Sequence, residues 1–282
     1  MMKRFFGNIS MLFSDIVGLI RPLVYHLQYQ HFRQIGCIQT QNKALAILGN
    51  GPSLRNFKPA MNIDVCTVNF SANTENFFLL KPKIYVMSDP EFFRGADRED
   101  VRMLWNNLQK VNWNLTLLLP YTFPKYFVEQ MEANTFVKVK RFCEYFWEPQ
   151  LDINKRLQKW WFKKGLLAPR TQNVMIPSLF NALLFGYKTI FLYGVEHSWL
   201  NLTFVDEHNV VMQKDTHYYG TKLRPWTHVD KDRTPMKLHE VLSMLQHTFE
   251  SYWQIREFAD YLGDVSIINK TPESFIDAFE RG

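Results

Sequence analysis

Cysteine is scarce in this chain: Cys37, Cys66 and Cys143 are the three thiols among 282 residues. They form no Cys-x-x-Cys pair and no zinc spacing. That excludes a disulfide scaffold and a zinc finger, and it is the pattern of reduced thiols in the cytoplasm. No uncharged apolar run reaches 18 residues, so no membrane-spanning helix is expected. Neither Gly-x-Gly-x-x-Gly nor a Walker Gly-Lys-Ser/Thr occurs, and no internal repeat or low-complexity segment is present. Charge of one sign does not dominate: 33 Lys+Arg face 27 Asp+Glu, a net charge of +6. That excess suits an anionic partner such as a sugar nucleotide or an acidic lipid headgroup. It is too small and dispersed to argue for nucleic acid.

Aromatic residues are plentiful, 24 Phe, 12 Tyr and 8 Trp, and the length suits one large α/β domain with a deep core. Short apolar runs alternate with helical patterns. This predicts a doubly wound, mostly parallel, Rossmann-like sheet with helices on both faces and a lid-like insertion. The opening strand, from Leu45 to Leu48, runs into Gly49-Asn50-Gly51-Pro52-Ser53-Leu54. Glycines there allow close backbone approach, and N–H groups near a helix start suit a phosphate. The second strand ends at Asn69 and the third at Asp89-Pro90. Polar residues just past strand C-termini are where open α/β sheets bind ligands.

Further strands are expected over 114–120, 136–139, 188–194 and 265–269, and helices over 94–110, 123–134, 177–185 and 235–262. A last turn-helix is expected over 271–276. Residues 141–169 read as an aromatic, partly helical insertion. Residues 200–234 read as a long polar loop or lid, rich in His, Tyr and Asp, and a loop of that length is usually functional. Residues 1–36 form a separate amphipathic arm with one broad apolar face, from Ile9 to Leu27. Two roles stay open for it: an interfacial helix on the inner membrane face, or a helix packed on the domain or on a second subunit. A basic start before an apolar stretch also suits a signal peptide, but no small-x-small cleavage site follows. The expected location is cytoplasmic, or peripheral on the inner face of the cytoplasmic membrane.

Taken in order, Gly49 to Leu54, Thr67-Val68-Asn69, Asp89-Pro90, Gly186-Tyr187-Lys188 through Gly194, Thr216 to Gly220 and Pro272-Glu273-Ser274-Phe275 resemble the bacterial lipooligosaccharide sialyltransferases. The resemblance spans roughly 44–279. It implies inverting, metal-independent transfer of a sialic-acid-type sugar from a CMP donor to a hydroxyl of a surface glycan or glycolipid, with no other cofactor. It also implies a histidine base, whose pKa lies near working pH. By this resemblance Asn50 and Asn69 contact the nucleotide and donor, and Arg170 faces the acceptor; Gly49, Gly51, Pro52, Ser53, Asp89 and Asn173 complete the expected nucleotide- and donor-binding set. Asp89 stands where the family has a third Asn, which leaves the donor sugar open. The family's phosphate-holding Tyr has no match, so His197 takes that role or is structural. His228, just before the long helix, takes the base role ahead of His217. His239 and His247 fall on that helix as surface or packing residues. His208, beside Asp206 and Glu207, lacks a second ligand set for a metal.

Two competing functions remain. The archaeal pterin diphosphokinase-like group shares the Gly-rich Pro-Ser-Leu start and would need Mg²⁺-binding carboxylates such as Asp89 and Glu196. The other is a non-catalytic nucleotide- or glycan-binding protein of the same fold.

Overall fold

The computed structural model describes residues 15–18, 20–28, 43–95, 97–149, 151–217, 220–228 and 233–282. Cys37, the first 14 residues of the arm, Tyr218, Tyr219, Val229 and Asp230 lie outside this set. Five strands follow one another across one half of the sheet: β1 (Ala44–Leu48), β2 (Asp64–Val68), β3 (Ile84–Val86), β4 (Leu115–Pro120) and β5 (Val137–Phe142). The chain then returns to the other side of β1 as β6 (Thr189–Tyr193). A separate antiparallel sheet follows, made of β7 (Thr203–Val205), β8 (Val211–His217) and β9 (Gly220–Pro225). The main sheet then grows outward with β10 (Ser266–Asn269) and β11 (Glu280–Arg281). Its order is β11-β10-β6-β1-β2-β3-β4-β5, and every pairing is parallel. This is the α/β architecture expected from the alternating pattern.

Right-handed crossovers put helices on opposite faces when the direction of travel reverses. Going out from β1 to β5, the connections α2 (Glu75–Leu80), α3 (Glu91–Arg94), α4 (Glu99–Gln109) and α5 (Lys125–Glu132) cover one face. Coming back, α6 (Asp152–Lys163), α7 (Met175–Leu184) and α8 (Leu238–Leu262) cover the other. Alternation along the strands follows: Leu45, Ile47, Cys66 and Val68 pack toward α7 and α8, while Ala46, Leu48 and Val65 point the other way. Helix α7 lies between sheet and α8, which is why Met175 to Leu183 is buried on all sides. Phe162, Phe180 and Phe258 meet there with ring centroids 5.3–5.6 Å apart. Such aromatic pairs contribute about 0.5–1.5 kcal/mol each beyond area burial. Gly186, at φ +88, ends α7 as the expected left-handed cap.

Three expectations are corrected. Residues 200–234 are not mainly loop, because β7, β8 and β9 pair there. Residues 271–276 form no helix: Asn269 and Ser274 hydrogen-bond to each other and hold a turn. The stretch after 141 is partly helical as expected, through α6, but it is no separate insertion, for Phe142, Trp147 and Phe162 are buried in the core.

The arm contributes a helix, α1, over 15–18 and 20–28, and it packs on the domain. Asp15 accepts hydrogen bonds from the Leu151 N–H at 3.1 Å and from Asn154 Nδ2 at 2.7 Å. A carboxylate placed there satisfies donors at the start of α6 and suits its dipole. Gly18 lies flat against an indole, for a Cβ added there would sit 1.9 Å from Trp147 Nε1. His26 is buried, with Nε2 2.9 Å from the Leu166 carbonyl. Gly18→Leu therefore lifts α1 off the domain. In hydrogen-exchange mass spectrometry, amide protection over 20–28 is expected to fall at least about tenfold while β1 to β6 keep theirs. Unchanged protection in 20–28 would contradict this docking.

Candidate functional site

The chain reverses direction between β1 and β6, and open α/β sheets bind ligands beyond the strand C-termini at such a switch point. Two loops meet there. The Gly49 N–H donates to the Tyr193 carbonyl at 2.8 Å, and the Gly51 N–H donates to Gly194 O at 2.9 Å. Contact is so close that a Cβ on Gly49 would lie 2.3 Å from Gly194 O, and Gly194 itself has φ +66. The Ser53 N–H donates to Glu196 Oε1 at 2.7 Å, and the Leu54 N–H returns to Gly51 O. Pro52–Asn56 is a single 3₁₀ turn rather than an α-helix. The turn was expected to cradle a phosphate with its N–H groups and a helix start. Instead those of Gly49, Gly51, Ser53 and Leu54 are engaged within the protein. The glycines serve the approach of two backbones to each other.

Beyond this knot opens a cleft of ≈ 1150 Å³. Of the residues expected to bind the nucleotide and donor, Gly49, Asn50, Gly51, Pro52, Ser53, Asn69, Asp89 and Asn173 all line it, as do His197 and His217. Asn50 Oδ1, Ser53 Oγ, Asn69 Oδ1, Asn173 Nδ2 and Glu196 Oε2 are buried and have no partner among the described residues. A buried polar atom left unpaired costs about 1–3 kcal/mol, so five around one cleft mark a place for a hydrogen-bonding ligand or solvent. Asn69 holds φ +48, a left-handed conformation that strand-end Asn tolerates better than most residues. Asn173 is fixed from the other side: its Oδ1 accepts from the Met175 N–H at 2.8 Å and from the Tyr252 hydroxyl at 3.2 Å.

Among the described residues the lining carries Asp89, Glu144, Glu196, Asp215 and Glu273 but no Lys or Arg. These carboxylates are held in different ways. Burial pushes the Asp89 carboxyl above the usual range, against hydrogen bonding from the Glu91 N–H. Burial raises Glu144 as well, despite the Thr122 hydroxyl. For Asp215 burial acts upward too, but the hydrogen bond from His217 and the charges of Arg224, His217 and Lys222 outweigh it and hold the carboxyl low. His217 Nε2 lies 3.2 Å from Asp215 Oδ1, and Arg224 bonds the other oxygen at 2.9 Å. Residues i and i+2 of a strand share a face, and that is how β8 brings Asp215 and His217 together.

His197, at φ +49, stacks on Trp199 with centroids 4.1 Å apart, and its Nδ1 lies 3.0 Å from the Tyr252 hydroxyl. Burial lowers its pKa well below the ordinary imidazole range, so the ring is neutral at physiological pH. When Tyr252 donates to Asn173, His197 donates from Nδ1 and keeps Nε2 as an acceptor.

Two expected residues lie elsewhere. His228 Nε2 is 3.4 Å from Glu240 Oε2, the carboxylate that caps α8 by accepting from the Lys237 N–H at 2.7 Å. Arg170 stacks on Phe146, 4.5 Å from the ring centroid. Neither is among the residues that line the cleft. Glu196, Asp215, Glu144 and Tyr252 were not singled out as ligand-binding or catalytic residues of the glycosyl-transfer reading. Asp215 had a usable signal, the Asp-x-His spacing, had the segment been taken as a strand. Compared with known proteins, the chain matches no family model and no curated protein.

Two outcomes follow from this geometry. Gly49→Ala forces a Cβ into a backbone carbonyl and is expected to cost about 3 kcal/mol in urea denaturation. A loss below about 0.5 kcal/mol would mean that the two loops part easily. His197 is neutral when folded, whereas the unfolded chain takes up its proton below about pH 6.5. Its contribution is therefore flat above that pH and turns destabilising as the pH falls. His197→Gln is expected to flatten the decline of Tm between about pH 6.5 and pH 4.5 relative to the parent protein.

Proposed function

We propose that the protein is a glycosyltransferase that moves a sugar of the acidic, sialic-acid type from a CMP donor to a hydroxyl of a bacterial surface glycan or glycolipid. One observation carries this reading. The Asp215–His217 pair lines the same cleft as Asn50, Asn69 and Asn173, each of which keeps one carboxamide atom without a partner among the described residues. Carboxamides present donors and acceptors without charge, which suits a ribose, a pyrimidine edge and sugar hydroxyls. A carboxylate-oriented histidine suits a proton acceptor.

In this reaction the acceptor oxygen forms a bond to the anomeric carbon as the carbon–oxygen bond to the phosphate breaks. The electron pair leaves with CMP. His217 takes the acceptor proton, and Asp215 orients the ring and stabilises the imidazolium. The resemblance puts His228 first as base. The geometry favours His217, since His228 is turned to the α8 cap. Asn50, Asn69 and Asn173 hold the donor, and Asp89 lines the same wall of the cleft. His197, neutral and fixed through Tyr252, supports Asn173. Arg170 lies next to Thr171 and Gln172 at the cleft edge and contacts the acceptor only after leaving Phe146.

One observation favours the pterin diphosphokinase-like alternative: Glu196 Oε2 is unpaired beside the glycine turn, where a Mg²⁺–phosphate unit would seek a carboxylate oxygen. Titration with CMP, CDP, ATP and pterin, each with and without Mg²⁺, separates the two. CMP binding that needs no metal is expected, and ATP binding that requires Mg²⁺ would replace this reading. For the base, His217→Ala is expected to lower turnover at least about 10²-fold and leave CMP affinity within about twofold. His228→Ala is expected to retain turnover. The reverse result would move the base to His228.

A further inference from the structure

Helix α1 is amphipathic, yet it docks with its polar and small residues. Asp15, Gly18, Pro22 and His26 are buried against the domain. Ile16, Ile20, Leu23, Val24 and Leu27 are 43–66% exposed. Their spacing of four, three, one and three places them in a single stripe along the side opposite the docked face. A helix covering a protein core has the reverse orientation. Contiguous apolar patches of this kind mark interaction sites rather than ordinary surface.

Charge selects among the occupants. From Met1 to Asn42 the chain carries Lys3, Arg4, Arg21 and Arg33 against one acidic residue, Asp15. Asp15 is 1% exposed and spent on the start of α6. Apart from Asp15, every Asp, Glu, Lys or Arg in this segment is basic. Arg21, exposed, flanks the stripe three residues from Val24. On α6, Lys155 and Arg156 directly follow the Asn154 that binds Asp15, and both are exposed, Lys155 paired with Asp152 at 2.9 Å. Further along, Trp160 is 44% exposed with Lys164 Nζ 5.8 Å from its ring centroid. Apolar residues beside Lys, Arg and Trp are the composition of interfacial helices on anionic bilayers. A second copy of the chain fits less well. Five half-exposed aliphatic side chains offer on the order of 400 Å², against roughly 800 Å² per partner in a stable complex. Among the described residues no helix is long and apolar enough to cross a membrane, so the helix would lie on the surface rather than span it.

We infer that α1 seats this protein on an anionic phospholipid surface, its apolar stripe in the acyl boundary and its basic flank on the headgroups. The inference stands apart from the proposed reaction, since none of the stripe residues lines the cleft.

Sedimentation of the full chain with vesicles containing roughly one-third phosphatidylglycerol in phosphatidylethanolamine tests it. The parent protein is expected to pellet with these vesicles, at least about tenfold less with pure phosphatidylcholine, and less as salt is raised. The combined variant Ile20→Glu, Leu23→Glu, Leu27→Glu is expected to stay in the supernatant with an unchanged Tm. Adding Gly18→Leu to the parent separates docking from lipid binding: lifted off the domain, the stripe still binds vesicles. The inference is overturned if the parent protein does not pellet with anionic vesicles. It is equally overturned if the triple-Glu variant pellets as well as the parent. A parent protein that is dimeric by light scattering and becomes monomeric in the triple-Glu variant would instead make the stripe a subunit interface.

Discussion

The organisation of the site depends on a backbone-to-backbone contact between the loop after β1 and the loop after β6. Two hydrogen bonds, from the Gly49 and Gly51 N–H groups to the Tyr193 and Gly194 carbonyls, close the seam at the point where the chain reverses across the sheet. Only glycine permits it, because any Cβ at Gly49 or Gly51 would meet a carbonyl oxygen or the Glu196 carboxylate. From that seam the Asn50 side chain is carried toward the Val68 carbonyl, and Glu196 is turned back to the Ser53 N–H. The C-terminal turn braces the same loop. Thr271 and Ser274 bond the Val195 backbone, and the Phe275 N–H donates to Glu196 O. Segments distant in sequence thus fix one rim of the cleft.

A seam built in this way changes what the glycine turn can do. Phosphate-binding turns leave several N–H groups pointing at the ligand. Here most are consumed inside the fold, and Glu196 occupies the position of an internal anion. In the proposed function recognition then passes to side-chain amides and to a histidine–carboxylate pair, groups that read hydroxyls and ring edges better than bare negative charge. The carboxylates around the cleft fit the same picture. Asp89 and Glu144 are pushed toward the protonated form, Asp215 is bonded to His217 and Arg224, and Glu196 is engaged by Ser53. The cleft is thus polar and hydrogen-bonding, with carboxylates held in different ways around its rim.

Much of the sheet was readable from the sequence because parallel strands buried on both faces are apolar runs with abrupt polar ends. Leu45 to Leu48 and Asp64 to Val68 are of this kind. Asn50, Asn69 and Asp89 could be placed at the site because strand ends in such a sheet face one edge. Local pattern failed where tertiary contacts decide. Val211 to Pro225 is polar and lacks clean alternation, so its hairpin depends on pairing rather than on burial, and the Asp215–His217 pair stayed hidden in it. His228 looked equivalent by its position before α8, but Glu240, a capping residue on that helix, draws its side chain away. The orientation of α1 was equally unreadable. Its amphipathic spacing is plain, yet which face docks is decided by Asp15 at the start of α6 and by the fit of Gly18 to Trp147.

The central claim is that a nucleoside monophosphate of an activated sugar sits on the carboxamides beyond the β1–β6 seam. A crystal structure of the protein with CMP or a non-hydrolysable CMP-sugar tests it most directly. The account predicts a nucleotide within hydrogen-bond distance of Asn50, Asn69 and Asn173, with the sugar-bearing phosphate oriented toward His217. A nucleotide bound elsewhere, or one held through a metal ion on Glu196, would contradict it.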